Sequence, residues 1–134
     1  MIEILIKIIF FGFLLNVAYH LPHSLLYETV YKLPLKKYVR LMLVMPAKDG
    51  FFIALFYSIT VLLWHNWYIL ENPLQLGCFV VMALTFAFIN ERASLKMGRW
   101  EYTPSMPLLF GVGLTPLLEI AVTGILTFII IFLF

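Results

Sequence analysis

The sequence predicts an all-α integral membrane protein: four transmembrane helices, with an amphipathic surface helix on the cytoplasmic side in the first loop. Three observations carry that expectation. Hydrophobic residues make up 63% of the 134 residues and charged residues only 12%, whereas a soluble domain is roughly half apolar and about a quarter charged. Mean hydropathy is +1.02, and a chain this short has too little interior to hide so much apolar surface from water. The apolar residues also form long unbroken runs rather than an alternating pattern, which selects helices over a closed barrel as the way to satisfy backbone groups in lipid.

The first run, residues 2–19, is long enough to cross the hydrocarbon. Glu3 precedes its only early cation, Lys7, and no small-x-small cleavage site follows, so it reads as a retained helix rather than a signal peptide. Glu3 and Lys7 stand at i, i+4 and form a solvated pair of little weight. Asn16 lies deep in this run, where it would hydrogen-bond to another helix. The second run spans residues 50–70, the third 72–90 and the last 108–134. Pro73 suits the first turn of the third helix, where its missing N–H is no loss. A short connection around Tyr68–Pro73 then makes an antiparallel hairpin. Ser58, Thr60, Thr123, Gly124 and Thr127 read as small or hydroxylic packing positions.

Residues 20–49 and 91–107 are left as the inner loops. Lys32, Lys36, Lys37, Arg40 and Lys48 fall in one, and Arg92, Lys96 and Arg99 in the other. Eight of the nine cations therefore share one side. By the positive-inside rule both loops are cytoplasmic and both termini lie outside, as in a bacterial inner membrane. Trp64, Trp67 and Tyr68 at one border, and Trp100 and Tyr102 at the other, match interfacial belts. In the first loop Leu35, Tyr38, Val39, Met42 and Met45 or Pro46 recur near helical spacing. Lys36, Lys37 and Arg40 point elsewhere on the wheel, which predicts a surface helix with its cations toward anionic headgroups. The net charge of +2 is explained by this distribution, and nucleic acid is not expected as a partner.

The last run admits two readings. A helix beginning near Pro107 would carry Glu119 to the middle of the bilayer. A helix beginning at Thr115, with Thr115 as N-cap and Pro116 in the first turn, would leave Glu119 near the inner interface, favoured by the helix dipole. The glycines at 111 and 113 and the prolines at 104 and 107 favour the later start, with residues 98–114 as an interfacial or re-entrant lead-in.

The densest polar cluster runs from Asn90 to Tyr102. Glu91, Arg92, Arg99, Trp100, Glu101 and Tyr102, together with Glu119, form a candidate headgroup or substrate site. Arginine forks suit oxyanions, and a buried carboxyl suits acid–base work. His20 and His23, at i, i+3, are weak candidates for metal ligation. Pro22 is expected to disturb their helix, and the remaining suppliers would be Glu28 or His65, the latter on the opposite side. No metal and no cofactor is therefore predicted. Cys78 is alone, which excludes an internal disulfide.

No catalytic, metal or nucleotide motif stands out. The leading expectation is an accessory or interaction subunit that meets membrane lipids and assembles as a homo-oligomer or within a larger membrane complex. The first alternative is a membrane-embedded enzyme or binder of a lipid or isoprenoid that uses the Glu91–Tyr102 cluster. The second is a small transporter with Glu119 as its coupling group.

Overall fold

The computed structural model describes residues 1–134. Helix α1 (Ile2–Ser24) leads through a single turn, α2 (Glu28–Tyr31), into α3 (Leu35–Trp64). A loop containing a short 3₁₀ turn (Ile69–Glu71) reverses the chain into α4 (Pro73–Lys96). Two short strands, β1 (Leu108–Leu109) and β2 (Val112–Gly113), precede the last helix, α5 (Leu114–Leu133). The protein is mostly helical, and α1, α4 and α5 are each long and apolar enough to cross a membrane.

Helix α3 corrects the expectation for the first loop. There is no separate surface helix before a second run at residue 50: one continuous helix of 30 residues runs from Leu35 to Trp64. Pro46 and Gly50 resemble a boundary in sequence but lie inside the helix. Gly50 is there for close approach, because a Cβ at this position would stand 3.0 Å from both Ile9 O and Phe13 N of α1. Lys36, Lys37, Arg40 and Lys48 are exposed on the first half of α3, and Met42 and Pro46 are buried.

The last run takes the later of its two starts, with its helix beginning at Leu114 rather than at 108. Residues 108–113 form an antiparallel hairpin, with Leu108 opposite Gly113 and Leu109 opposite Val112. Its two central residues, Phe110 and Gly111, take φ values of +52° and +77°, the conformation of a tight primed turn. The helix begins only at Leu114 with Gly113 as its cap, so Thr115 is not the N-cap and has a different task, described below. The first helix extends past residue 19 to Ser24 and through Pro22. Proline costs the helix one N–H bond, and so near the end of α1 the loss is tolerated. The start of α4 is as expected: Asn72 caps it, Oδ1 accepting from Leu74 N at 3.1 Å and Gln75 N at 3.2 Å, with Pro73 first.

The core lies between α1, α3, α4 and α5 and includes Ile8, Ile53, Tyr57, Phe79, Ala83 and Phe128. Phe79 packs on Phe128 with ring centroids 4.8 Å apart, and Phe79 also fills the notch that Gly124 leaves on α5. Phe52 and Phe86 meet at 4.2 Å.

Around this core several polar side chains are buried while many large apolar ones face outward. Asn16, Thr60, Gln75, Thr123 and Thr127 are buried, whereas Ile2, Ile6, Leu14, Leu62, Val81, Ile89 and Leu133 are exposed. Thr123 Oγ1 donates to Asn16 Oδ1 at 3.1 Å, which joins α5 to α1 as the position of Asn16 suggested. Glu3 and Lys7 form their exposed ion pair at 2.7 Å.

Candidate functional site

Near one end of the molecule the helices draw apart around a cavity of about 350 Å³. Most of its wall is apolar, with Val30, Leu33, Met42, Met45 and Phe86 among its lining side chains. At its polar side stand two clusters built on buried carboxylates, Glu119 and Glu91.

Glu119 lies in the second turn of α5 and is aimed at the end of α1. His20 and His23, three residues apart on one helical face, meet it there. His20 Nε2 is 2.8 Å from Glu119 Oε1 and 3.1 Å from Asp49 Oδ2 of α3. Only the contact to Asp49 has hydrogen-bond geometry. Glu119 Oε1 is buried with no hydrogen directed at it. The short distance to His20 is therefore proximity without an aligned donor, and we assign the ring's hydrogen bond to Asp49. His23 Nε2 stands 3.8 Å from Glu119 Oε2, and its other nitrogen, Nδ1, is 2.8 Å from Thr115 Oγ1. Thr115 can accept from Nδ1–H while its own hydrogen goes to Met106 Sδ at 3.3 Å. This tautomer leaves the Nε2 lone pair of His23 facing Glu119. The early start of α5 frees Thr115 for that role.

Glu91, in the last turns of α4, is only 3% exposed. Its Oε1 accepts three hydrogen bonds: from Tyr27 OH at 2.8 Å, Trp100 Nε1 at 3.0 Å and Tyr102 OH at 2.6 Å. Three donors on one oxygen offset much of the cost of taking a carboxylate out of water. Tyr102 OH in turn accepts from Gly113 N at 3.0 Å, linking the cluster to the start of α5.

The donors are held by backbone pairing. Glu28 N donates to Glu101 O and Thr103 N to Leu26 O, both at 2.9 Å, and these bonds form a bridge between Tyr27 and Tyr102. Burial, and then the negative charge of Glu91, push the Tyr27 phenol far above its usual range. Burial, and then the hydrogen bond to Glu91, do the same for Tyr102. Both hydroxyls thus keep the protons they donate.

An aromatic run connects the clusters. His20 and His23 rings are 5.3 Å apart, His23 and Tyr27 5.1 Å, and Tyr27 and Trp100 5.9 Å, all edge-on.

The structure thus brings together Glu91, Trp100, Tyr102 and Glu119 from the sequence-derived candidates. It does not bring in the others equally. Arg99 reaches the cavity border but is exposed. Arg92 and Glu101 are exposed, and Glu101 contributes only backbone groups, its N–H donating to Thr29 Oγ1 at 2.8 Å. Glu28 is turned toward Lys32 at 3.9 Å and His65 lies at the other end, so neither supplements the histidines. The supplements are Glu119 and Asp49. Sequence reasoning passed over Asp49, although it is the lone acid in an otherwise basic stretch. It also passed over Tyr27, for which no sequence signal exists.

Comparison of the chain with protein-family models, with curated proteins and with solved structures returns no match, so the reading of the site rests on its own chemistry.

Proposed function

We propose that this chain is a membrane-embedded protein that takes a lipid- or isoprenoid-class molecule into the cavity and acts on it by proton transfer. The observation that supports this reading is a mostly apolar cavity lined by two buried carboxylates, of which Glu91 is held by three hydrogen-bond donors. A water-soluble metabolite would find few partners on such a wall, whereas a hydrocarbon chain would be covered along its length. Glu91, with the donors Tyr27, Trp100 and Tyr102, is the group for acid–base work at the polar end of the guest. Arg99, at the border, suits an anionic headgroup through its planar fork.

The proposed setting has four crossings, with α3 as the fourth. At 30 residues that helix is about 45 Å long, enough for the hydrocarbon core and both headgroup layers. Lys36, Lys37 and Arg40 on its first turns then lie at headgroup level. Eight of nine cations lie just before α3 or on its first half (Lys32, Lys36, Lys37, Arg40 and Lys48) or toward the end of α4 and in the segment after it (Arg92, Lys96 and Arg99), which supports a cytoplasmic placement of that end, with both termini outside. The exposed apolar faces of α1 and α4 suit surrounding lipid or a second copy.

The test is extraction and mass spectrometry of small molecules that co-purify with the full chain in mild detergent. We expect one amphipathic or isoprenoid-class species, lost in Met42→Trp, which fills the cavity. Glu91→Gln should retain the guest and lose its conversion. A chain that carries and rebinds no such molecule, yet elutes with one stoichiometric protein partner, would instead be the accessory subunit that its size and lack of motifs suggest. Coupled transport through Glu119 predicts loss of uptake in Glu119→Gln.

A further inference from the structure

We infer that His20, His23 and Glu119, with Asp49 beside them, form a binding site for one divalent transition-metal ion at the polar end of the cavity. This goes beyond the proposed function and does not depend on which apolar molecule the cavity takes.

The donors come from three helices: the two histidines from α1, Glu119 from α5 and Asp49 from α3. One donor atom from each of His20, His23 and Glu119 lies within 4.8 Å of the others, and all three residues are buried. Ligands held about 2.0–2.2 Å from a zinc-like ion stand roughly 3 Å apart. His20 Nε2 is 2.8 Å from Glu119 Oε1 and 3.1 Å from Asp49 Oδ2, the spacing of neighbours around one centre. His23 Nε2, 3.8 Å from Glu119 Oε2, closes the set with a small side-chain adjustment.

Two independent observations point to a ligand. Glu119 Oε1 is buried without a hydrogen directed at it, and an unpaired carboxylate oxygen in such a place is costly unless a cation supplies the missing partner. His23 is also held from behind by Thr115 on Nδ1; with the Thr115 hydrogen given to Met106 Sδ, Nδ1–H is the donor and the Nε2 lone pair is available, as in metal-binding histidines.

The donor types narrow the ion. Two imidazole nitrogens with one or two carboxylates suit zinc, iron(II), cobalt(II) or manganese(II). Magnesium and calcium prefer all-oxygen cages. With His20, His23 and Glu119 as the three protein ligands, a four-coordinate ion keeps one position open for a group of the guest molecule, and Asp49 would close it if it also bound.

The experiment uses the full chain in detergent, stripped with chelator and equilibrated separately with zinc, manganese(II), cobalt(II) and, without oxygen, iron(II). Bound metal is counted by mass spectrometry, and cobalt(II) is followed by its d–d absorption. We expect about one ion per chain for at least one of these metals, and a cobalt spectrum that shows nitrogen and oxygen ligands. His23→Ala and Glu119→Gln should each abolish uptake while keeping the elution volume and helical circular dichroism of the parent protein. Thr115→Val should weaken binding about 10- to 100-fold, and Glu91→Gln should leave it intact. A well-folded parent protein that takes up none of the four ions overturns the inference. So does a Glu119→Gln variant that binds as the parent does. Metal uptake without a lipid guest would overturn the proposed function alone, and a lipid guest without metal would overturn this inference alone.

Discussion

At one end of the molecule Gln75 is fully buried and every polar atom of its amide has a partner. Nε2 donates to Asn66 O at 2.9 Å and to Thr60 Oγ1 at 3.4 Å, and Oε1 accepts from Asn66 Nδ2 at 3.2 Å. This network is neutral and closed, and it ties the loop after α3 to the start of α4. At the opposite end Glu91, Glu119, Asp49, His20 and His23 surround a cavity, and one carboxylate oxygen is left over. The contrast teaches that buried polarity serves two purposes in this fold. A satisfied amide network fixes a turn in place. An ionic cluster with spare capacity, beside open space, is the part of the fold on which the proposed ligand sites rest.

Substitutions can break or sharpen that contrast. The largest effect is expected for Glu91→Ala, which strands three donors, at about 1–3 kcal/mol for each buried one. We expect the midpoint of denaturant unfolding in detergent to fall by the equivalent of about 3 kcal/mol or more, with loss of the guest as well. Gln75→Ala strands the Asn66 groups and should cost about 1–2 kcal/mol. Guest binding and metal uptake, read on the same sample, should not change. A Gln75 variant that empties the cavity would erase the distinction between the two ends.

Tyr27→Phe removes one of three donors to Glu91 and should cost about 1 kcal/mol, measured by tryptophan fluorescence through Trp100. Smallest of all, Glu101→Ala should move stability by less than about 0.5 kcal/mol and leave guest conversion unchanged, because its side chain is exposed. A large loss of conversion in that variant would shift the site from the cavity to its border.

Much of the helical layout was legible from apolar runs, since their length and continuity follow from the backbone's need for internal hydrogen bonds. The Asn72–Pro73 start of α4 was equally legible, because capping is local chemistry. The misreadings lie where tertiary contact overrides local signals. Pro46 and Gly50 look like a helix boundary, but the approach of α1 to Gly50 makes use of the missing side chain within one continuous α3. Thr115 looks like a cap, but α5 starts directly after the hairpin of β1 and β2, with Gly113 as its cap, and the Thr115 hydroxyl is left for His23.

The candidate site was half legible. Glu91, Trp100 and Tyr102 are close in sequence, and Glu119 stood out as a charge in an apolar run. The pairing of His20 and His23 with Glu119 and Asp49 joins residues far apart in the chain, and no spacing pattern can announce it. Arginines that seemed part of the cluster proved to be its surface.

The backbone bridge between Tyr27 and Tyr102 has a consequence for traffic. With Glu28 joined to Glu101 and Leu26 to Thr103, that flank of the cavity is sewn shut, and a visitor cannot pass there without unpicking the bonds that carry two donors of Glu91. Val30, Leu33, Leu41 and Met45 also line the cavity, and none of them carries a charge. An apolar guest that entered elsewhere would leave those bonds intact and, with them, the hold on the Glu91 carboxylate.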